Sequence, residues 1–222
     1  MNLIRKFFLI AAVLCTFAIS AGIQPSTAEA GPDPVVIFET TMGRFIVILY
    51  PKQAPVTVEN FLKYVDAGFY DGTVFHRVIR MEKPRVENPK DDTTINIVQG
   101  GGYTYPLSMK NTLAPIKSES RKGLSNEKGT IAMARSTDPH SATSQFFINV
   151  EDNPVLNYST TKQIYSQDPE KEVVNAGYCA FGKVLRGMNV VEEILKVKTV
   201  RKGDMEDVPA KPIYITKAYR AQ

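Results

Sequence analysis

The chain has 222 residues and a formal net charge of +4, and its 27 lysines and arginines are dispersed along the sequence. This dispersion excludes the concentrated basic surface that is typical of nucleic-acid-binding proteins, so we expect no nucleic-acid partner. The length after the N-terminal segment is that of one domain with a sizeable core, and no long-period repeat is present.

The N-terminal segment has the pattern of a cleavable signal peptide. Two basic residues precede an apolar run from Phe7 to Ile19, and Ala28-Glu29-Ala30 provides the small residues that a signal peptidase requires. The run is shorter than the roughly 20 apolar residues of a membrane span, although an uncleaved anchor is the alternative. We expect residues 1–30 to be removed, and residues 31–222 to be periplasmic or secreted without stable membrane association.

The two cysteines predict no disulfide within the exported domain. Cys15 would leave with the signal peptide, so Cys179 would remain alone. The neighbours of Cys179 are mostly apolar, which predicts a buried strand position rather than a reactive thiol.

The first predicted elements are a hairpin and a helix. Val35–Phe38 and Arg44–Leu49 flank a turn that ends in glycine, which predicts a β-hairpin. The helix follows from apolar residues at i, i+3, i+4 and i+7, with Pro55 in its first turn and Gly68 after its end. These apolar residues are Val58, Phe61, Leu62 and Val65.

A second helix is predicted near residue 190. Its apolar face would consist of Val190, Val191, Ile194 and Leu195. Asn189 and Glu192 have the spacing of a capping box. Two helices among short strands predict a mainly β, closed architecture, but periodicity alone cannot distinguish a barrel from a sandwich.

Three later segments place polar side chains among apolar ones. They are Phe75–Ile79, Gln99–Gly102 and Ser144–Asn149. They contain one guanidinium and two glutamine carboxamides, without a cysteine or serine nucleophile beside a histidine and without a cluster of metal ligands. This favours a site that grips a peptide backbone and a hydrophobic ring. A surface ion pair for Arg77 and loop-bracing roles for the glutamines are the alternatives.

Together with Gly129–Arg135, these segments resemble the cyclophilins, the peptidyl-prolyl cis/trans isomerases, and the resemblance extends from about Val35 to Ile215. It implies a mainly β fold: an eight-stranded closed antiparallel β-barrel capped by two α-helices. It also implies isomerisation of X-Pro bonds without metal or cofactor, with proline-containing unfolded or flexible polypeptides as partners. We expect a monomer that assists the folding of exported proteins.

The resemblance also assigns roles to individual residues. It implies catalytic roles for Arg77 and Gln99. It implies that the substrate is bound by Phe147, Gln145, Met133, Leu156, Ile97, Ala134, Arg135 and Tyr178. The alternative function is a non-catalytic module or chaperone that binds proline-containing peptides, and the presence of Arg77 favours the enzyme.

The sequence departs from the family's usual pattern at the pocket and in two loops. Ile97 replaces a methionine, Tyr178 stands where many members have histidine, and Val155 occupies a position often held by tryptophan. Polar insertions are expected near residues 80–96 and 157–176; they could shape access to the groove or be tolerated surface loops.

The two histidines raise a second functional alternative, a hydrolase with a histidine general base. His76, beside Arg77, could be a general base, but no nucleophile accompanies it, and a structural, hydrogen-bonded histidine is favoured. His140 lies in a polar run and is interpreted as a loop residue. A hydrolase is therefore the weak alternative.

Overall fold

The computed structural model describes residues 31–82, 93–162 and 172–221. The predicted signal peptide and the middle of each predicted insertion lie outside these ranges. The described residues form a mainly β structure with two α-helices. Within them, neither helix combines the length and the apolar character needed to cross a membrane.

The strands are, in chain order, β1 (Val35–Thr40), β2 (Gly43–Leu49), β3 (Thr73–Val74), β4 (Arg77–Arg80), β5 (Asn96–Gly100), β6 (Tyr103–Thr104), β7 (Ser108–Met109), β8 (Thr130–Met133), β9 (Phe146–Asn149), β10 (Ser159–Lys162), β11 (Glu172–Asn175), β12 (Ala180–Arg186), β13 (Thr199–Lys202), β14 (Met205–Pro209) and β15 (Ile215–Arg220). The helices are α1 (Pro55–Asp66) and α2 (Met188–Leu195), and Pro154–Leu156 forms a 3-10 turn.

Eight of the strands form one antiparallel sheet in the order β15-β1-β2-β12-β8-β9-β5-β4. The predicted eight-stranded antiparallel architecture with two helices is therefore confirmed, but its complete closure is not. Among the described residues the edge strands β4 and β15 share no ladder. The residues that precede these two strands meet instead, through an isolated bridge between Val74 and Tyr214 and a 3.0 Å bond from the Phe75 N–H to the Ile213 carbonyl. Because β4 and β15 are not paired with each other, the eight-stranded sheet does not close and forms a curled half-barrel.

The predicted hairpin is confirmed as β1 and β2. Phe38 is registered with Phe45, and Val36 with Val47. All four side chains are fully buried, because alternate residues of a strand point to the same face. The rings of Phe38 and Phe45 stack with their centroids 4.8 Å apart, which fixes the register from inside.

Helix α1 packs against the concave face of the sheet through Phe61. The Phe61 ring centroid lies 5.0 Å from that of Phe181 and 5.8 Å from that of Phe146. These rings belong to one interior cluster that also includes Phe38, Phe45, Tyr70 and Phe75. Truncating a buried phenylalanine to alanine typically costs about 3–5 kcal/mol, so loss of any one of these phenylalanines should strongly destabilise the domain.

The predicted ends of α1 are confirmed. Pro55 is its first residue, and Gly68 follows the C-cap with a φ of +61°. The N-terminal N–H groups of Val56 and Thr57 donate to the Glu119 carboxylate at 3.2 and 2.8 Å. A helix N-terminus favours such an acceptor, so a distant loop supplies the cap that the local sequence lacks.

Helix α2 begins differently from the prediction. Its N-cap is Gly187, and no side chain caps the helix, so the predicted capping box of Asn189 and Glu192 is wrong. A Cβ atom at position 187 would lie 2.4 Å from the Arg44 carbonyl oxygen. The close approach of β2 therefore sets where the helix starts. Two residues of the predicted apolar face are fully buried, Val191 and Ile194.

Cys179 is buried, as predicted, but it lies directly before β12 and not in the predicted strand position. Burial raises the pKa of its thiol to about 11, while a contact with the Thr57 hydroxyl acts in the opposite direction. The thiol therefore stays protonated and packs as a small apolar group.

The two predicted insertions fall at defined places in the fold. Residues 80–96 connect β4 to β5, and residues 83–92 lie outside the described ranges. Residues 157–176 contain the paired strands β10 and β11, and residues 163–171 lie outside the described ranges.

Candidate active site

Five adjacent strands of the sheet each contribute one residue to a single cross-strand row. Cross-strand partners in an antiparallel ladder point to the same face. The row consists of Arg77 (β4), Gln99 (β5), Phe147 (β9), Ala132 (β8) and Ala180 (β12). The neighbouring row, offset by one residue, is Val78, Val98, Ile148 and Ile131 and belongs to the interior cluster. The first row therefore lies on the outer face of the sheet.

The outer face carries its own apolar cluster around Phe147. Ile97 and Leu156 are buried against it, and Tyr178 and Ala134 are partly buried at its edge. The structure thus brings together five of the predicted substrate-binding residues. An apolar cluster on the outside of a sheet, separate from the core, is a feature that a ligand ring can complete.

Met133 does not join this cluster. It is registered with Phe146 rather than Phe147, and it packs in the interior cluster with 2% of its surface exposed. Successive residues of a strand point to opposite faces, so Met133 lies behind the site. We therefore withdraw it from the predicted pocket and regard it as a core residue.

The two predicted glutamines contact each other. The Gln99 side-chain N–H donates to the Gln145 carbonyl oxygen at 3.0 Å, and the Gln145 main-chain carbonyl accepts a 2.9 Å bond from the Ala134 N–H. A Cβ atom at Gly102 would lie 2.4 Å from Gln145 Cγ. Glycine at position 102 therefore leaves room for the Gln145 side chain to pack against the loop. The bond from Gln99 then fixes the direction of the Gln145 carboxamide.

Arg135 supports one wall of the site with its side chain. Its Nε donates to the Gly177 carbonyl at 2.9 Å, and its guanidinium carbon lies 4.5 Å from the ring centroid of Tyr178. A neighbouring cavity of about 260 Å³ separates this wall from Met109. It is lined by Gln99, Met109, Ala134, Arg135, Ser136, Ser141, Thr143 and Gln145.

Arg77 stands at the open end of the row. Its side chain is 46% exposed, and Asp207 is its ion-pair partner, with Arg77 Nε 3.9 Å from Asp207 Oδ2. Within the described residues the guanidinium makes no hydrogen bond to another protein group. The charge therefore faces solvent at the end of the row that contains Gln99 and Phe147, and the described residues leave its donors unsatisfied.

His76 is buried, and burial lowers its pKa to about 4, with the charge of Arg77 acting in the same direction. A neutral imidazole with this pKa is a poor general base near neutral pH, which agrees with a structural role. Hydrogen bonding with the Val74 main chain and the Gln145 side chain raises this pKa, as suits the hydrogen-bonded histidine expected, while Nδ1 lacks a partner within the described residues. His140 accepts a 3.1 Å bond from the Ser118 N–H, as suits a loop residue.

Among the described residues, no group of three or more His, Cys, Asp or Glu side chains could hold a metal ion.

A buried asparagine network behind the site was missed by the sequence reasoning. Asn126 donates to the main-chain carbonyls of Leu156 and Tyr178 at 3.0 and 3.2 Å. Asn149, at the end of β9, donates to Asn126 at 3.1 Å and accepts from Asn153 at 2.7 Å. The network therefore holds both walls of the apolar cluster. Its one local signal is an asparagine that directly follows the apolar run of β9.

A comparison of the sequence with known families identifies the family. Residues 35–220 match the family described as cyclophilin type peptidyl-prolyl cis-trans isomerase/CLD. The chain belongs to this family. It is a cyclophilin-type peptidyl-prolyl cis-trans isomerase, which decides between the enzyme and the non-catalytic module in favour of the enzyme.

Bacterial relatives and solved structures extend this comparison. The chain is 44% identical over 183 residues to the peptidyl-prolyl cis-trans isomerase cyp18 of Streptomyces antibioticus, covering 82% of this chain and 96% of the relative. It is 41% identical over 181 residues to peptidyl-prolyl cis-trans isomerase B of Escherichia coli, with coverage of 82% and 96%. A Cryptosporidium parvum cyclophilin, solved in the presence of the dipeptide Ala-Pro, shares the fold with a TM-score of 0.57, 22% identity and coverage of 85% and 99%.

Proposed function

We propose that the enzyme binds proline-containing segments of unfolded or flexible polypeptides across the outer-face row and accelerates rotation about the X-Pro bond there. The observation that carries this proposal is the register that places Arg77, Gln99 and Phe147 side by side on three adjacent strands. The solved relative that was crystallised in the presence of Ala-Pro supports a peptide of this class as the ligand.

In the proposed complex the proline ring packs on the apolar cluster around Phe147. Phe147 lies at the centre of this cluster, and Ile97 and Leu156 flank it. The carboxamide of Gln145, oriented by Gln99, holds the substrate backbone. Anchoring the ring while the backbone is held on one side leaves the X-Pro amide as the bond that can turn.

The barrier to this rotation is about 20 kcal/mol, because twisting the amide removes its resonance. As the amide twists, the prolyl nitrogen becomes pyramidal and its lone pair becomes a hydrogen-bond acceptor. A guanidinium donor from Arg77 would bond to this nitrogen strongly only in the twisted state. Such differential stabilisation of the transition state lowers the barrier without any proton leaving, which suits the permanent charge of arginine.

The test is to compare Arg77→Ala with Arg80→Ala, which removes an exposed arginine from the same strand outside the row. We expect Arg77→Ala to lower the rate of X-Pro isomerisation by about a hundredfold, as is typical when one transition-state donor is lost. Arg80→Ala should retain activity, and both variants should melt close to the wild type. A folded Arg77→Ala protein with full activity would refute the mechanism.

We also propose that the substrates are exported proteins and that the enzyme acts in the periplasm or outside the cell. The support for this proposal is the sequence pattern of the signal peptide. Mass spectrometry of the protein recovered from the exported fraction should give Gly31 as the first residue. Recovery with Met1 retained, or only in the cytoplasmic fraction, would contradict it.

A further inference from the structure

The hairpin of β13 and β14 contains a bulge at Asp207. Val200 is registered with Val208, and Lys202 with Met205, so Glu206 and Asp207 of β14 lie opposite the single residue between them on β13. Asp207 has a φ of +59°, in the left-handed region. Residues other than glycine seldom adopt this conformation, although aspartate and asparagine tolerate it better than most.

The bulge brings the Asp207 carboxylate within reach of Arg77. An extra residue in one strand bends the ladder and changes the direction of the side chains at that point. Strand β14 lies beside β4, and the Asp207 carboxylate reaches Arg77, with Oδ2 3.9 Å from Nε. The unusual backbone conformation and the contact with Arg77 thus belong to the same residue.

We propose that Asp207 is a positioning residue that holds the Arg77 guanidinium over the outer-face row. This inference rests on the catalytic role proposed for Arg77. The carboxylate approaches Nε, and at 3.9 Å it attracts the guanidinium without forming a hydrogen bond. The attraction therefore limits where the charge can lie, while the guanidinium donors are left for the substrate.

Such a constraint matters because the Arg77 side chain is otherwise lightly held. It is 46% exposed, and within the described residues Asp207 is its one ion-pair partner. A long exposed side chain has many rotamers, and ordering it in the transition state costs conformational entropy. Because exposed ion pairs are weak, we expect loss of Asp207 to lower the on-enzyme isomerisation rate by about two- to fivefold, far less than loss of Arg77.

The test is Asp207→Asn, which removes the charge, keeps the side-chain shape and tolerates the positive φ. Asp207→Gly, which has no Cβ and accepts this backbone freely, is a second variant for the same loss. Glu206→Gln is the matched control: it makes the same charge change one residue away, where Glu206 pairs with Arg201 at 3.8 Å. NMR exchange spectroscopy on an Ala-Pro-containing peptide would measure affinity and on-enzyme rate separately.

We expect both Asp207 variants to lower the rate with little change in peptide affinity, while Glu206→Gln behaves as the wild type. In about 1 M NaCl, where the Debye length is about 3 Å, the wild-type rate should fall towards that of Asp207→Asn. In an Arg77→Ala background, Asp207→Asn should have no further effect on the residual rate. If Arg77→Ala is inactive but Asp207→Asn retains the wild-type rate, the positioning role is refuted and the proposed function stands. Equal losses in Asp207→Asn and Glu206→Gln would also refute it.

Discussion

The ring of Tyr178 meets that of Phe147 edge to face, with centroids 5.5 Å apart and planes at 80°. The guanidinium of Arg135 covers Tyr178, so the wall of the apolar cluster is a stack of three side chains. This arrangement gives the tyrosine a packing role at a position where many cyclophilins have histidine.

The stack leads to a prediction for Tyr178→Ala. Edge-to-face aromatic pairs contribute about 0.5–1.5 kcal/mol to stability beyond their buried area. Losing this contact should loosen the wall that holds Phe147, so we expect Tyr178→Ala to weaken binding of an X-Pro peptide by up to about tenfold. Tyr178→Phe keeps the ring and should bind nearly as the wild type. Calorimetric titration with one peptide compares the three proteins, and an equal loss in both variants would assign the role to the hydroxyl instead.

A second prediction concerns acid stability. Burial lowers the pKa of His76 from 6.5 to about 4. Between these values the unfolded chain takes up a proton that the folded protein does not, so stability falls as the pH falls through this window, by up to about 3 kcal/mol, and is unaffected by His76 above it.

Urea unfolding at about pH 7 and about pH 4.5 measures this effect. His76→Gln cannot take up the proton, so its stability should change less between the two pH values than that of the wild type. The carboxylates titrate in both proteins and cancel in the comparison. An NMR titration of His76 with its midpoint near the ordinary histidine value would contradict the prediction.

The asparagine network predicts a coupled loss of stability and affinity. Asn126→Ala removes the side-chain donor from the main-chain carbonyls of Leu156 and Tyr178, although the Leu156 carbonyl keeps a 2.9 Å bond from the Tyr178 N–H. The loss should cost about 1–3 kcal/mol of unfolding free energy. Because these carbonyls belong to the pocket walls, peptide affinity should fall as well. Asn111→Ala, at an exposed loop position, is the control. Lost stability with unchanged affinity would show that the walls do not depend on the network.

Val155 predicts weak inhibition by cyclosporin, the cyclic peptide that the family is known to bind. The residue is 36% exposed beside Leu156, and valine has no donor in place of the indole N–H of the usual tryptophan. A hydrogen bond contributes about 0.5–1.5 kcal/mol net, so Val155→Trp should tighten inhibition by up to about tenfold. Titrating both proteins with the drug tests this. Tight inhibition of the wild type, or no gain in Val155→Trp, would show that the position does not set affinity.

Sequence patterns correctly predicted the secondary-structure elements that depend mainly on residues close together in the chain. The β1–β2 hairpin followed from two apolar segments around a turn that ends in Gly43. Helix α1 followed from the helical spacing of its apolar residues, with Pro55 at its start and Gly68 after its end. The start of α2 could not be predicted in this way, because the packing of Gly187 against Arg44 determines it. Tertiary contact there overrides the capping signal of Asn189.

The site residues were predictable to the extent that their motifs were. Met133 was misplaced because a motif does not reveal register, and a shift of one residue turns a side chain to the other face. Asp207 and Asn126 were not predicted because each acts on residues far away in the sequence. Their roles depend on a bulge and on buried carbonyls, which leave no periodic signal.

Strand β1 lies between β2 and β15 in the sheet. The first strand of the domain is therefore paired along one edge with a strand near the end of the chain, Ile215–Arg220. During synthesis, β1 and β2 can pair at once, but the other edge of β1 stays open until Ile215–Arg220 have been made. An unpaired edge is a template for association with other chains. This edge of β1 is therefore exposed for almost the whole of translation. A chain truncated before Ile215 would leave the edge exposed permanently.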